Sequence, residues 1–87
     1  MVSYRLEWRR STKRDLRQIA QEHLPRIIAA AEALLQNPFP MGCVKLSGSD
    51  QSYRIRVGNY RILYEVFSDR LVIEIVRVGH RKDVYKD

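Results

Sequence analysis

Only one cysteine, Cys43, occurs in 87 residues, so no internal disulfide can staple the chain. With no second Cys or His at ligand spacing, a zinc site is argued against too. A reduced, buried thiol is the expected state, and neither metal nor cofactor is expected. Long apolar runs are missing as well. None approaches the roughly 20 residues of a membrane helix, and Met1-Val2-Ser3-Tyr4-Arg5 is not a charged leader followed by an apolar stretch. The expectation is a soluble, cytoplasmic protein without membrane association. Acidic residues are in deficit: 10 Asp and Glu stand against 16 Lys and Arg, for a net charge of +6. A polyanionic partner is implied. The cations of the last third alternate with apolar residues instead of lining one face of an amphipathic helix, which disfavours a membrane surface. Nucleic acid or an acidic protein remains.

The length suits a single domain, residues 1–87, near the lower limit for a chain that buries its own core. Tyr4-Arg5-Leu6-Glu7-Trp8 alternates, predicting a first strand with Tyr4, Leu6 and Trp8 inward. Thr12 and Asp15 have the spacing of a capping box, and a thin basic helix is predicted from there to about Glu22, with Leu16, Ile19 and Ala20 as its apolar stripe. Pro25 suits the first turn of a second helix reaching about Gln36, whose stripe is Ile27, Ile28, Ala31, Leu34 and Leu35. His23, at the joint, reads as a solvated turn residue. The cluster Asn37-Pro38-Phe39-Pro40-Met41-Gly42 is a loop, followed by Val44-Lys45-Leu46 and a polar turn. Three strands then follow: about Ser52 to Val57, Tyr60 to Phe67 and Leu71 to Val78. The fold class is α+β: an N-terminal strand, a helical hairpin and a three-stranded antiparallel meander, with the helices on one face of a twisted sheet.

The meander carries the chemistry. Alternation from Ser52 to Val57 sends Tyr53, Ile55 and Val57 to one face and Arg54 and Arg56 to the other. Gly58-Asn59 suits a tight hairpin that places Arg56 opposite Arg61. Like charges so paired are destabilising by some tenths of a kcal/mol, which makes sense if an anion such as phosphate sits between them. The turn at Ser68-Asp69-Arg70 leaves the next register open, with Val76 and Arg77 as the alternatives facing Arg61.

The order of elements, the Lys45-Leu46-x-Gly48 segment, the run Tyr-Arg-Ile-Arg-Val-Gly-Asn-Tyr-Arg-Ile-Leu-Tyr and the ending Val-Gly-His-Arg-Lys-Asp-Val-Tyr resemble the RelE/ParE superfamily of toxins, specifically the RelE branch. The resemblance spans essentially the whole chain. It implies a toxin of a type II toxin-antitoxin system. Such a toxin is a metal-independent endoribonuclease that cuts messenger RNA in the ribosomal A site, contacts ribosomal RNA, and is held inactive by a RelB-like antitoxin, as a monomer or within a toxin-antitoxin heteromer. ParE-like relatives share the fold and poison DNA gyrase. A gyrase poison, or an inactive toxin that still binds its antitoxin, is therefore the alternative. The residue positions that matter in the family fall on Arg54, Arg56, Arg61, Arg81 and Tyr85.

Cleavage without metal uses the ribose 2′-OH as nucleophile and needs a base, positive charge on the phosphorane oxygens and an acid for the leaving 5′-oxygen. Arg56 and Arg61 suit a phosphate clamp through paired guanidinium donors. On the resemblance, Tyr85 stacks on a base and Arg81 lies near the leaving oxygen. Lysines are common in the family where Arg54 and Arg56 stand here, and an arginine is too strongly protonated to be a general base. His80 then has two readings: it exchanges the proton, since an imidazole titrates near neutrality, or it only ends the strand and touches phosphate. Lys45 is a further expected phosphate contact. Lys13 and Arg17, with Arg14, either touch RNA backbone or form a solvated helix face.

Overall fold

The computed structural model describes residues 3–82. Its elements are β1 (Arg5–Trp8), α1 (Thr12–Arg17), a 3-10 turn (Gln21–His23), α2 (Leu24–Ala33), β2 (Val44–Lys45), β3 (Ser52–Val57), β4 (Tyr60–Phe67) and β5 (Val72–His80). The expected α+β class holds, in a five-stranded mixed sheet of order β1-β5-β4-β3-β2. Two strands extend the meander. β1 pairs in parallel with β5, Leu6 beside Ile73 and Trp8 beside Ile75, while β2 is a two-residue edge strand on β3.

Both helices cover one face, and the core lies between. Ile27, Ala31 and Leu34 recur at helical spacing along α2 and its last turn and are almost fully buried against Ile55, Ile62, Tyr64, Val66, Ile73, Ile75 and Val78. Each such aliphatic side chain stabilises the fold by about 1.5–3 kcal/mol relative to exposure. Tyr4, Leu6 and Trp8 pack on the cluster as their alternation predicts. Ile28, read as part of the stripe, is 37% exposed at its margin.

The first helix departs most from the sequence reading. It ends at Arg17 rather than Glu22, because Ala20 adopts an extended ψ of 138° before the 3-10 turn. Pro25 has no amide to continue a helix through this joint, and the break lets Ile19 drop into the core. The capping box does not form either. Ser11 occupies the N-cap without a side-chain bond, and fully buried Thr12 donates its hydroxyl to the Arg9 carbonyl. Asp15 instead accepts the Val78 amide of β5 at 3.0 Å. This carboxylate satisfies the edge of β5 beyond the point where β1 stops.

The β4–β5 register follows neither expectation. Phe67 pairs with Val72 across a longer turn, and a bulge between Leu63/Tyr64 and Arg77/Ile75 accommodates Val76 as an extra residue. Arg61 consequently faces Gly79, not Val76 or Arg77. Cys43 is half-buried rather than buried, and it touches the core cluster.

Candidate nucleic-acid interface

The sheet face turned away from the helices carries the arginines. Gly58, at φ +62°, turns the β3–β4 hairpin so that Arg56 pairs with Arg61 and Val57 with Tyr60, as the sequence predicts. One residue row away, Arg54 faces Leu63, which in turn faces Arg77. Beyond Arg61 the paired residue is Gly79. The Arg61 guanidinium is therefore bordered on one side by a like charge and on the other by a residue with no side chain. Arg61 also donates to the Tyr60 carbonyl at 3.4 Å. Arg56 is exposed, and Arg54 and Arg61 are half-buried.

Arg81 joins this end of the sheet because its amide donates to the Asn59 carbonyl at 2.9 Å, tethering the exit of β5 to the hairpin turn. His80 lies on the opposite face. It pairs with Tyr60, and the two rings meet edge to face at 5.8 Å. The Lys82 amide donates to His80 Nδ1 at 3.3 Å, an arrangement that selects the Nε2–H form of a neutral imidazole. Tyr60 packs on its other side against His23, at 5.4 Å. His23 is a turn residue as expected, at the end of the 3-10 turn, but it is half-buried against Tyr60, and its Nδ1 lies 3.4 Å from the Arg26 guanidinium.

The structure brings Arg54, Arg56 and Arg61 together, with Arg81 at the same end. Lys45 lies apart on the edge strand β2, opposite Tyr53, so it shares the parity of the core-facing residues. Lys13 and Arg17 are exposed on α1, where with Arg10, Ser11 and Arg14 they border a surface hollow. Tyr85 lies outside the described residues. Arg77 is the cation that sequence reasoning left out of the group, since its place depends on the bulge at Val76.

The same face changes sign at its other end. Glu7 pairs with Glu74, and Glu74 with Glu65, forming a row of carboxylates across three strands. Arg9 bridges two of them, 2.9 Å from Glu74 and 3.7 Å from Glu65, while Arg5 binds Glu7 at 2.9 Å. The hydrogen bond to Glu74 raises the Arg9 pKa, burial opposing it. No group of three or more His, Cys, Asp or Glu side chains is placed to hold a metal ion among the described residues. No described helix is long and apolar enough to cross a membrane.

Residues 6–85 match the family described as the ParE toxin of the type II toxin-antitoxin system parDE. Toxin RelG of Mycobacterium tuberculosis is 28% identical over 90 residues, covering 98% of this chain and 99% of its own. Among solved structures, the archaeal RelE-RelB complex from Pyrococcus horikoshii OT3 superposes with a TM-score of 0.80 at 26% identity, covering 94% of this chain and 99% of that one. The RelB-RelE complex from Methanococcus jannaschii gives 0.74 at 31% identity, covering 92% and 95%. The hairpin with its facing arginines thus sits in a known toxin scaffold, and this chain belongs to the ParE toxin family of type II toxin-antitoxin systems as a RelE-like toxin.

Proposed function

We propose that this toxin is a ribosome-dependent endoribonuclease that cuts messenger RNA by attack of a ribose 2′-OH on the adjacent phosphate. The observation that supports this most is the pairing of Arg56 with Arg61 beside Gly79. Two guanidinium groups held side by side on rigid strands are a preorganised clamp for a phosphate that gains charge in the transition state. Gly79 leaves room for the phosphate to come alongside. Arg54 extends the cationic row, and Arg81, at the exit of β5, approaches the leaving 5′-oxygen. His80, one residue before Arg81, is the group at this end suited to exchanging a proton, on RNA that runs over the end of β5. Tyr85 stacks on a base of the codon.

The partner is a RelB-like antitoxin whose acidic or amphipathic segment covers the arginine face. Charge complementarity favours this, and covering the clamp would block substrate.

The test is primer extension on messenger RNA incubated with the purified toxin, with and without programmed ribosomes. Cuts within the A-site codon only when ribosomes are present are expected. Arg61→Ala should lower the cleavage rate by at least about a hundredfold, as loss of an oxyanion donor does elsewhere, while antitoxin binding survives. Absence of cuts under both conditions would sink the nuclease reading and leave gyrase inhibition or an inactive toxin.

A further inference from the structure

A groove between α1 and β5 takes no part in the phosphate clamp. It exists because β1 pairs with β5 only from Val72 to Ile75. Past that point α1 replaces the neighbouring strand, and the Asp15 carboxylate, not another backbone, meets the Val78 amide. A helix held off a strand edge by one short side chain leaves space along that edge.

Two adjoining hollows share this space. The first, about 150 Å³, is lined by Asp15, Gln18, Ile19, Tyr60, Gly79 and His80, and Arg77 and Val78 complete its wall. The second, about 310 Å³, is lined by Arg9, Ser11, Arg14, Asp15, Val76 and Arg77. Asp15 and Arg77 border both. Their chemistry differs. The first has an aromatic wall preformed by the Tyr60–His80 contact, with a carboxylate and a carboxamide opposite. The second is cationic. Arg9 there is engaged by Glu74, so Arg14 and Arg77 are its cations toward a ligand.

A flat, hydrogen-bonding group fits one end and an anion the other, which are the two halves of a nucleotide. The first hollow corresponds to about five water volumes at ~30 Å³ each, the scale of one ring system and below that of a drug-sized ligand. Resting on the RNA reading above, we propose that the α1–β5 groove is a mononucleotide subsite for single-stranded RNA. The base lies among Asp15, Gln18 and Tyr60, and the phosphate lies against Arg14 and Arg77. Guanine is the preferred base, because its ring N–H and exocyclic amino group are adjacent donors that one carboxylate accepts together. Asp15 retains lone pairs for them beyond the one given to Val78. Gly79 lines this hollow and also pairs with Arg61, so the subsite adjoins the clamp around the end of the sheet.

The test is a titration of the isotopically labelled toxin with each of the four nucleoside 5′-monophosphates, read by amide chemical shifts. Guanosine 5′-monophosphate is expected to shift Gln18, Val78, Gly79 and His80 saturably, with affinity at least about tenfold above that of uridine 5′-monophosphate. Asp15→Asn keeps an acceptor for Val78 and should erase that preference, with shifts elsewhere in the sheet unchanged. Arg14→Gln should weaken all four nucleotides alike. Shifts confined to Arg54, Arg56 and Arg61, the same groove shifts with inorganic phosphate alone, or full preference retained in Asp15→Asn would each overturn the proposal. The titration needs neither ribosome nor cleavage. Groove binding without codon cleavage would sink only the nuclease reading, and cleavage without groove binding only the subsite.

Discussion

Tyr64 shows how much one hydroxyl can be asked to do in a small core. The residue is 1% exposed, and its hydroxyl donates to the Pro38 carbonyl at 2.7 Å, fastening the loop after α2 to the middle of the sheet. Burial, helped by contacts with Cys43 and Tyr53, pushes its pKa well above the ordinary tyrosine value. The folded state therefore holds this proton more tightly than the unfolded chain. The resulting stability is fully present below about pH 10 and is lost as pH rises beyond it. Tyr64→Phe should cost about 1 kcal/mol at neutral pH through the missing hydrogen bond and should flatten the alkaline loss of stability. Urea unfolding at several pH values checks both. On the proton-exchange role proposed for His80, His80→Gln should lower the cleavage rate by at least about a hundredfold while antitoxin binding survives; an unchanged rate would assign the proton transfer to another group. The facing pair Arg56 and Arg61 was legible in the sequence because alternation and a Gly-Asn turn leave one register. The face of His80 was not, since a single bulged residue, Val76, reverses the parity of all that follows it on β5.

Among elements, the β3–β4 hairpin and the α1–β5 contact hold the arginine end in place. Gly58 lies in the left-handed region at φ +62°, and a Cβ there would come 3.0 Å from the Arg26 guanidinium. The Arg26 tip can swing away, so the backbone sets the penalty: Gly58→Ala should cost about 1 kcal/mol. That corresponds to a fall in melting temperature of about 4–8 °C for a domain of this size. Asp15→Ala should leave the Val78 amide without its acceptor and accelerate its hydrogen exchange by at least about tenfold, with the amides of β3 little affected. The strands and the second helix were readable because alternation and 3.6-residue spacing are strong over six or more residues. The first helix was not. Its spacing continues past Arg17, but Asp15 is recruited by a strand 63 residues away, and no local signal in the sequence announces that.

The whole molecule has a dipolar open face, with arginines at the hairpin end and the Glu7, Glu74 and Glu65 row at the other. A polyanion should therefore bind in one orientation, and its affinity should depend steeply on salt. If four phosphates are neutralised, the slope of log affinity against log salt is expected near about −3 for a single strand, and Arg56→Ala should make it shallower by about 0.7; filter binding across a salt series measures this. The net charge of +6 is legible in the sequence, yet its separation into two poles depends on which strands become neighbours. The parallel pairing of β1 with β5 joins the first strand to the last, and Arg9 meets Glu74 across 65 residues. Such a sheet cannot close before β5 is in place. The core waits for Ile73, Ile75 and Val78, which emerge together with the residues that complete the arginine end. One strand thus serves both fold and surface: a copy cut short before Val72 lacks the partner of β1 and β4 as well as the Gly79 and Arg77 flank of the arginine row, so it loses the sheet and the cationic end together.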